Sequence, residues 1–277
     1  MDVQSRVVER DCPACQTPAS QGKILPYGNT EWPMRECGSC GFVYLERAPI
    51  YERLSEEFAW EKTSQAEKSQ REEREPVKQG LSRAFKTFRQ KVIKRNKLPE
   101  LIEKYVASGK VLDIGCAAGG ILASLPAQYT PFGIEVSRQL AMQAGSLVRP
   151  RGGDIVHDNA LNGCTQLPGN TFTGVLMSAF LEHEVDPKNL LAQVARVLKP
   201  EGVVIIKVPN YGSWNRSVRK ERWCGFRLPD HVNYFTPQSL LSMVIEQGLT
   251  PVQFGLGDRQ PTSDNMWMVA KPANTRT

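Results

Sequence analysis

The chain has 277 residues, 40% of them hydrophobic and 23% charged, with a formal net charge of +6. That length holds one full α/β domain plus a small extra module, the composition is ordinary for a globular protein, and so small a positive excess does not by itself require nucleic acid. No apolar run approaches the ~20 residues that cross a bilayer, and the charged stretch from Met1 to Asp11 lacks the apolar core of a secretory signal, so no membrane span and a cytoplasmic location are expected.

In chain order, the first region (1–48) carries two C-x-x-C pairs, Cys12/Cys15 and Cys37/Cys40, with short β-like pieces such as 42–45. Two such knuckles can bring four thiolates to the corners of a tetrahedron, a closed structural zinc site. Gly41, directly after Cys40, permits the tight turn a knuckle needs. A redox dithiol is the rival reading. Cys116, Cys164 and Cys224 are scattered, and an odd total of seven argues against a disulfide framework.

The second region (49–106) reads as a helical linker or lid. Leu81, Phe85, Phe88 and Val92 recur at helical steps on one face. Seven basic residues and no acid fall between 83 and 97. Such a run is usually a solvated face, with contact to an anionic substrate or RNA as the minority reading.

The third region (107–277) alternates strand and helix signals, the mark of a parallel sheet. Strands are expected at 110–114, 131–135, 154–157, 174–178 and 203–208, with a final antiparallel pair near 250–256 and 266–270. Helices are expected at 120–124, 138–144, 188–198 and 237–247, and a turn at 199–202.

The first of these strands runs into a small-residue turn, VLDIGCAAGG at 111–120. Small residues let a ligand approach backbone amides closely. Glu135, at the end of the next strand, can accept hydrogen bonds from both hydroxyls of a ribose. A dinucleotide prefers G-x-G-x-x-G. Gly115 and Gly120 match, but Ala117 puts a methyl group at the middle position. S-adenosylmethionine (SAM) has no pyrophosphate and suits the turn better, with Asp113 placed to position its amino-acid portion. Asp158 and Asn159 follow the third strand, where they can meet an adenine amino group.

Further on stand Leu181-Glu182-His183, Asp186-Pro187, the run from Val197 through Lys199-Pro200-Glu201-Gly202, and Val208-Pro209-Asn210. With the turn at 111–120, this ordered set from 110 to 210 resembles the class I SAM-dependent methyltransferases, in the subgroup with LEH, RVLKP-G and VPN motifs that often acts on small metabolites. The resemblance implies a Rossmann-like, seven-stranded, mostly parallel sheet with an antiparallel last strand, joined here to the N-terminal zinc ribbon and helical lid segment. It implies SAM contacts at Asp113, Gly115, Gly119, Glu135 and Asp158, with Ala117, Asn159 and Ser178 beside them. Thr173 departs from the acid usual at that position, which puts nothing catalytic in doubt.

Methyl transfer to a hydroxyl or amine is helped by a general base. His231 lies in an aromatic and polar segment (223–236) after the fifth strand, where related enzymes insert substrate-binding elements, and is the favoured base, with a structural capping or core role as the alternative. His183 is the second candidate base, though ordering of its loop by hydrogen bonding is the favoured role; His157 reads as structural. The expected activity is methylation of oxygen or nitrogen on a small-molecule acceptor, in sugar or secondary metabolism. An RNA methyltransferase gripping phosphates with ribbon and basic helix would differ by a steep salt dependence. A SAM-binding scaffold or sensor would bind without turnover. The oligomeric state is left open.

Overall fold

The computed structural model describes residues 7–50 and 97–273. The apolar stripe at Leu81, Phe85, Phe88 and Val92 and most of the basic run lie outside the described residues. The N-terminal part holds strands β1 (Val7–Glu9), β2 (Lys23–Leu25), β3 (Met34–Glu36), β4 (Val43–Leu45) and β5 (Arg47–Pro49). The larger part follows with α1 (Lys97–Tyr105), β6 (Gly109–Ile114), α2 (Gly120–Ser124), β7 (Tyr129–Glu135), α3 (Arg138–Val148) and β8 (Asp154–His157). Then come α4 (Ala160–Gln166), β9 (Phe172–Ser178), α5 (Pro187–Val197), β10 (Leu198–Pro209) and α6 (Trp214–Arg219). The chain closes with β11 (Asn233–Tyr234), α7 (Pro237–Glu246), β12 (Leu249–Gln253) and β13 (Asn265–Pro272).

The central sheet has seven strands in the order β12-β13-β10-β9-β6-β7-β8. From β10 to β8 every neighbour is parallel. The last strand, β13, runs antiparallel to both β10 and β12, so the expected sheet is the one found. Alternation along the strands explains its two faces. Leu112, Ile114, Val175, Met177, Val204 and Ile206 pack with Leu190, Leu191 and Val194 of α5 and Leu240 and Val244 of α7. The opposite face, with Val111, Leu176, Val203 and Ile205, packs with Leu101 and Ile102 of α1 and Ala141, Ala144 and Val148 of α3.

Local signals set the helix starts. Asp186 accepts from the Asn189 amide at the N-cap of α5, with Pro187 at its first turn. Thr236 and Ser239 form a reciprocal capping box on α7. The expected turn at 199–202 interrupts β10 rather than preceding it. Leu198, buried beside the sheet, already pairs with Phe172, and the ladder resumes at Val203 opposite Gly174 after a break in register.

A second sheet, in the order β11-β4-β3-β2, joins the two parts of the molecule. Its edge strand β11 comes from the segment after β10 and pairs antiparallel with β4, Asn233 opposite Tyr44 and Tyr234 opposite Val43. Trp32, Met34, Val43 and Leu45 of the N-terminal part pack there with Tyr211, Trp223, Val232 and Tyr234. Among the described residues no helix is long and apolar enough to cross a membrane.

Candidate active site

The turn after β6 places Gly115 and Gly119 in the left-handed region, at φ of +73° and +81°, and holds Ala117 there as well at +47°. A Cβ at Gly115 would run into the ring of Phe180. Ala117 therefore tolerates a conformation glycine adopts freely, and its amide donates to Glu135 Oε2 at 2.9 Å. The other Glu135 oxygen, Oε1, accepts from the Ser137 amide at 2.8 Å. One carboxylate thus ties the ends of β6 and β7 together.

Asp113 is 2% exposed, and its Oδ2 has no hydrogen-bond partner. Burial, with the Glu135 charge second, pushes its carboxyl up to about 8. A buried, unsatisfied carboxylate is costly unless a cation or donor meets it. Asp158 and Asn159 follow β8: Asp158 accepts from the Asn159 amide at 2.8 Å and from Gln166 Nε2 at 2.7 Å, and Asn159 caps α4 through the Asn162 amide at 2.9 Å. Ser178, at the end of β9, lines a cleft of about 580 Å³ with Ile102, Ile121, Lys207 and Trp267.

The histidines of the LEH motif and of the segment before β11 meet. The rings of His183 and His231 lie edge to face, centroids 4.7 Å apart. Each turns Nδ1 onto a backbone carbonyl, that of Asp230 at 2.8 Å for His183 and that of Gly225 at 2.8 Å for His231. A carbonyl only accepts, so both Nδ1 atoms carry the proton and both Nε2 atoms present lone pairs. Burial, then the Arg227 charge, lowers His183 to about 4. Burial, then its neighbours His183 and Arg227, holds His231 well below the ordinary imidazole value. Both are neutral at pH 7. With Glu182, Ala179, Arg227 and Asn265 they line a cavity of about 240 Å³. His157 is exposed and bonds the Val136 carbonyl at 3.1 Å, a link between β7 and β8.

Phe180 connects the two halves of the site. Its ring lies on Gly115, and its carbonyl accepts from the His183 amide at 2.9 Å. The sequence reading missed this residue, as it missed Arg10 and Asn233. Arg10 is 6% exposed and donates to the carbonyls of Leu45, Val232 and Val185 and to Asn233 Oδ1, at 2.7–3.2 Å. Asn233 Nδ2 in turn reaches the carbonyls of Leu181 and Glu184 at 3.1 and 2.6 Å. The segments bearing His183 and His231 are thereby fastened to the N-terminal module.

The four paired cysteines come together: Cys12 Sγ lies 3.6 Å from Cys40 Sγ, and Cys15 Sγ 3.5 Å from Cys37 Sγ. Zn–S bonds of about 2.3 Å give a tetrahedron edge of about 3.75 Å, so the donor set and spacing are compatible with zinc. The knuckle turns are closed by Gly41 at φ +70° and Gln16 at +63°. Cys116, Cys164 and Cys224 lie outside this group and in no disulfide.

A family model described as a methyltransferase domain matches residues 73–253. The chain belongs to the class I SAM-dependent methyltransferases. This methyltransferase is 28% identical to the ubiquinone biosynthesis O-methyltransferase of Cereibacter sphaeroides over 158 residues, 52% of this chain and 61% of that one. The protein of the same name from Thiobacillus denitrificans is 31% identical over 154 residues, 52% and 66% of the respective chains. The chain therefore spans less than two thirds of the length of these relatives. Among solved structures, a SAM-dependent methyltransferase from Archaeoglobus fulgidus superposes with a TM-score of 0.50 at 17% identity, covering 68% of this chain and 99% of that one. One from Methanosarcina mazei gives 0.50 at 19% identity, covering 62% and 97%. At such identities the likeness is one of fold.

Proposed function

We propose that this methyltransferase moves a methyl group from SAM to an oxygen or nitrogen of a small-molecule acceptor. The observation that carries the cofactor half is Asp113: a buried carboxylate oxygen without a partner, beside the left-handed turn at 115–119 and the ribose-binding candidate Glu135. Such a group suits the ammonium of the amino-acid portion of SAM, and Glu135, at the end of β7, is the carboxylate proposed to meet the ribose hydroxyls. Gly115, Ala117 and Gly119 offer close approach to backbone, while Asp158 and Asn159 stand where the adenine edge would lie. When bound, SAM supplies a methyl carbon activated by a positive sulfur.

The chain's own contribution to the transfer is orientation and proton removal. His231 Nε2 takes the proton of the acceptor hydroxyl or amine, and His183 Nε2 lies next to it as a second acceptor site. Their depressed basicity, set by burial, keeps both lone pairs free at neutral pH. The cavity beside them is sized for the reacting end of a small molecule, and the names of the relatives favour an oxygen acceptor. Cys12, Cys15, Cys37 and Cys40 would hold one zinc ion; a four-sulfur site is closed, so its contribution is structural.

Calorimetry with SAM tests the cofactor half: Asp113→Ala or Glu135→Ala should weaken binding at least tenfold, and unchanged affinity would remove the assignment. The acceptor half is tested by S-adenosylhomocysteine release across a panel of phenols, sugars and amines, where His231→Ala must lose turnover on any acceptor that works.

A further inference from the structure

We propose that Glu182, His183 and His231 form a second metal site, for one divalent ion of the first transition row, distinct from the four cysteines. One oxygen of Glu182 and one ring nitrogen of each histidine lie within 4.8 Å of one another. Metal–nitrogen and metal–oxygen bonds of about 2.1 Å place neighbouring ligand atoms about 3.0–3.4 Å apart, so side-chain rotations of about 1 Å close the set. The ion would take up the same Nε2 lone pairs that act as proton acceptors in the metal-free site, so the two roles are alternatives for these histidines, and binding of the ion is tested separately from methyl transfer.

Three independent features point to a ligand here. First, the tautomers are already set. Each histidine commits Nδ1–H to a backbone carbonyl, Asp230 or Gly225, as metal-bound histidines do with the nitrogen that faces away from the ion. Second, Glu182 is 1% exposed and its Oε2 has no hydrogen-bond partner. Third, the three groups share the wall of one cavity of about 240 Å³, which leaves room for water or an acceptor atom in the remaining coordination positions.

Charge is compatible with a dication. The ligand set carries one negative charge when Glu182 is ionised. Arg227 and Lys207 also face this carboxylate, but the Arg227 guanidinium is engaged by Asp230 at 3.4 Å. Two imidazoles and one carboxylate suit iron, cobalt, nickel or zinc better than magnesium or calcium, which prefer all-oxygen shells. The ligands are also rigidly carried. The Val232 amide donates to the Glu182 carbonyl at 2.9 Å, and Asn233 holds the carbonyls on either side of the LEH turn.

The test is titration of the full chain, freed of metal under reducing conditions, with Co²⁺. One equivalent should give the intense thiolate-to-cobalt absorption of a four-sulfur site. A second should bind without adding to that band, and should shift the two imidazole N–H proton signals that report on Nδ1. In Glu182→Gln and His231→Gln the second equivalent should bind at least tenfold more weakly while the thiolate band keeps its full intensity, which also shows that the N-terminal module still folds. Wild-type protein that stops at one equivalent, or shows no imidazole shift, overturns the proposal, as does second-site affinity unchanged in both variants. SAM affinity measured on the same samples separates failure of this site from failure of the cofactor assignment.

Discussion

Replacing Arg10 with methionine should destabilise the protein by about 3–5 kcal/mol, the cost of removing one member of a buried charged network. Burial lowers the Arg10 side chain to about 10 although Glu184 pulls it upward, so it remains a cation at neutral pH. Its two terminal nitrogens make four hydrogen bonds, three to carbonyls and one of 2.7 Å to Asn233. Bonds to a charged group contribute about 1.5–3 kcal/mol each when taken singly, but these share one side chain and are not additive. Methionine fills much of the volume, satisfies none of the acceptors, and removes the positive charge that Glu184 feels in a site 2% exposed. Urea unfolding followed by the fluorescence of buried Trp32 and Trp223 reads the loss directly. Because the carbonyls of Val185 and Val232 flank the segments of His183 and His231, acceptor turnover should fall further than SAM affinity. A loss under about 1 kcal/mol with normal turnover would show that the two parts of the molecule do not depend on this residue.

Asp113 should make SAM binding pH-dependent. Its carboxyl, raised from 3.8 to about 8, holds a proton between those values that the unfolded chain has released, so folding stability falls as pH rises through that window. A cation at Oδ2 favours the ionised form, so SAM binding at pH 6–7 should release a proton and tighten as pH rises. Calorimetry in buffers of different ionisation heat would show this, and Asp113→Asn should abolish the release. Gly115→Ala forces a side chain into the Phe180 ring at φ +73°; SAM affinity should drop at least tenfold, while a helical and thermally stable fold persists. Removal of metal by a strong chelator, or Cys37→Ser, should disrupt β2–β4 and with them β11, since a structural zinc is worth about 10–16 kcal/mol to such a module. Near-ultraviolet circular dichroism should change and acceptor turnover should cease, whereas SAM should still bind.

Much of this fold is written in hydrophobic period. The strand at 154–157 and the helix at 120–124 lie where the sequence puts them, because each is bounded by turn residues and presents its apolar side chains at the spacing of its element. The cofactor candidates were legible for the same reason: Asp113, Gly115 and Glu135 stand at strand ends, and strand ends are what patterning locates. The proposed acceptor side was legible only in pieces. His183 and His231 each looked chemical, but nothing local says that their rings touch, since the pairing arises from the Val232 amide reaching the Glu182 carbonyl. Strand β11 is two residues long, too short for any periodicity, and its partner β4 is far upstream. Arg10 is a buried cation, which composition rules place on the surface.

The placement of β11 changes what the cysteine module does. Had the knuckles folded a free-standing ribbon, a metal held by them would stabilise only its own loops. Instead the sheet they support is completed by Asn233 and Tyr234, whose neighbours include His231. The same segment is tied back to the LEH turn through Asn233 and Val232, and that turn reaches the cofactor side through Phe180 on Gly115. A displacement at β4 therefore has a continuous packed and hydrogen-bonded route to the two imidazoles, and from there to the turn after β6. Packed interiors shift between discrete arrangements rather than deforming smoothly. The module thus buttresses from behind the segments that line the cavity beside His183 and His231, and is not a mere appendage to them.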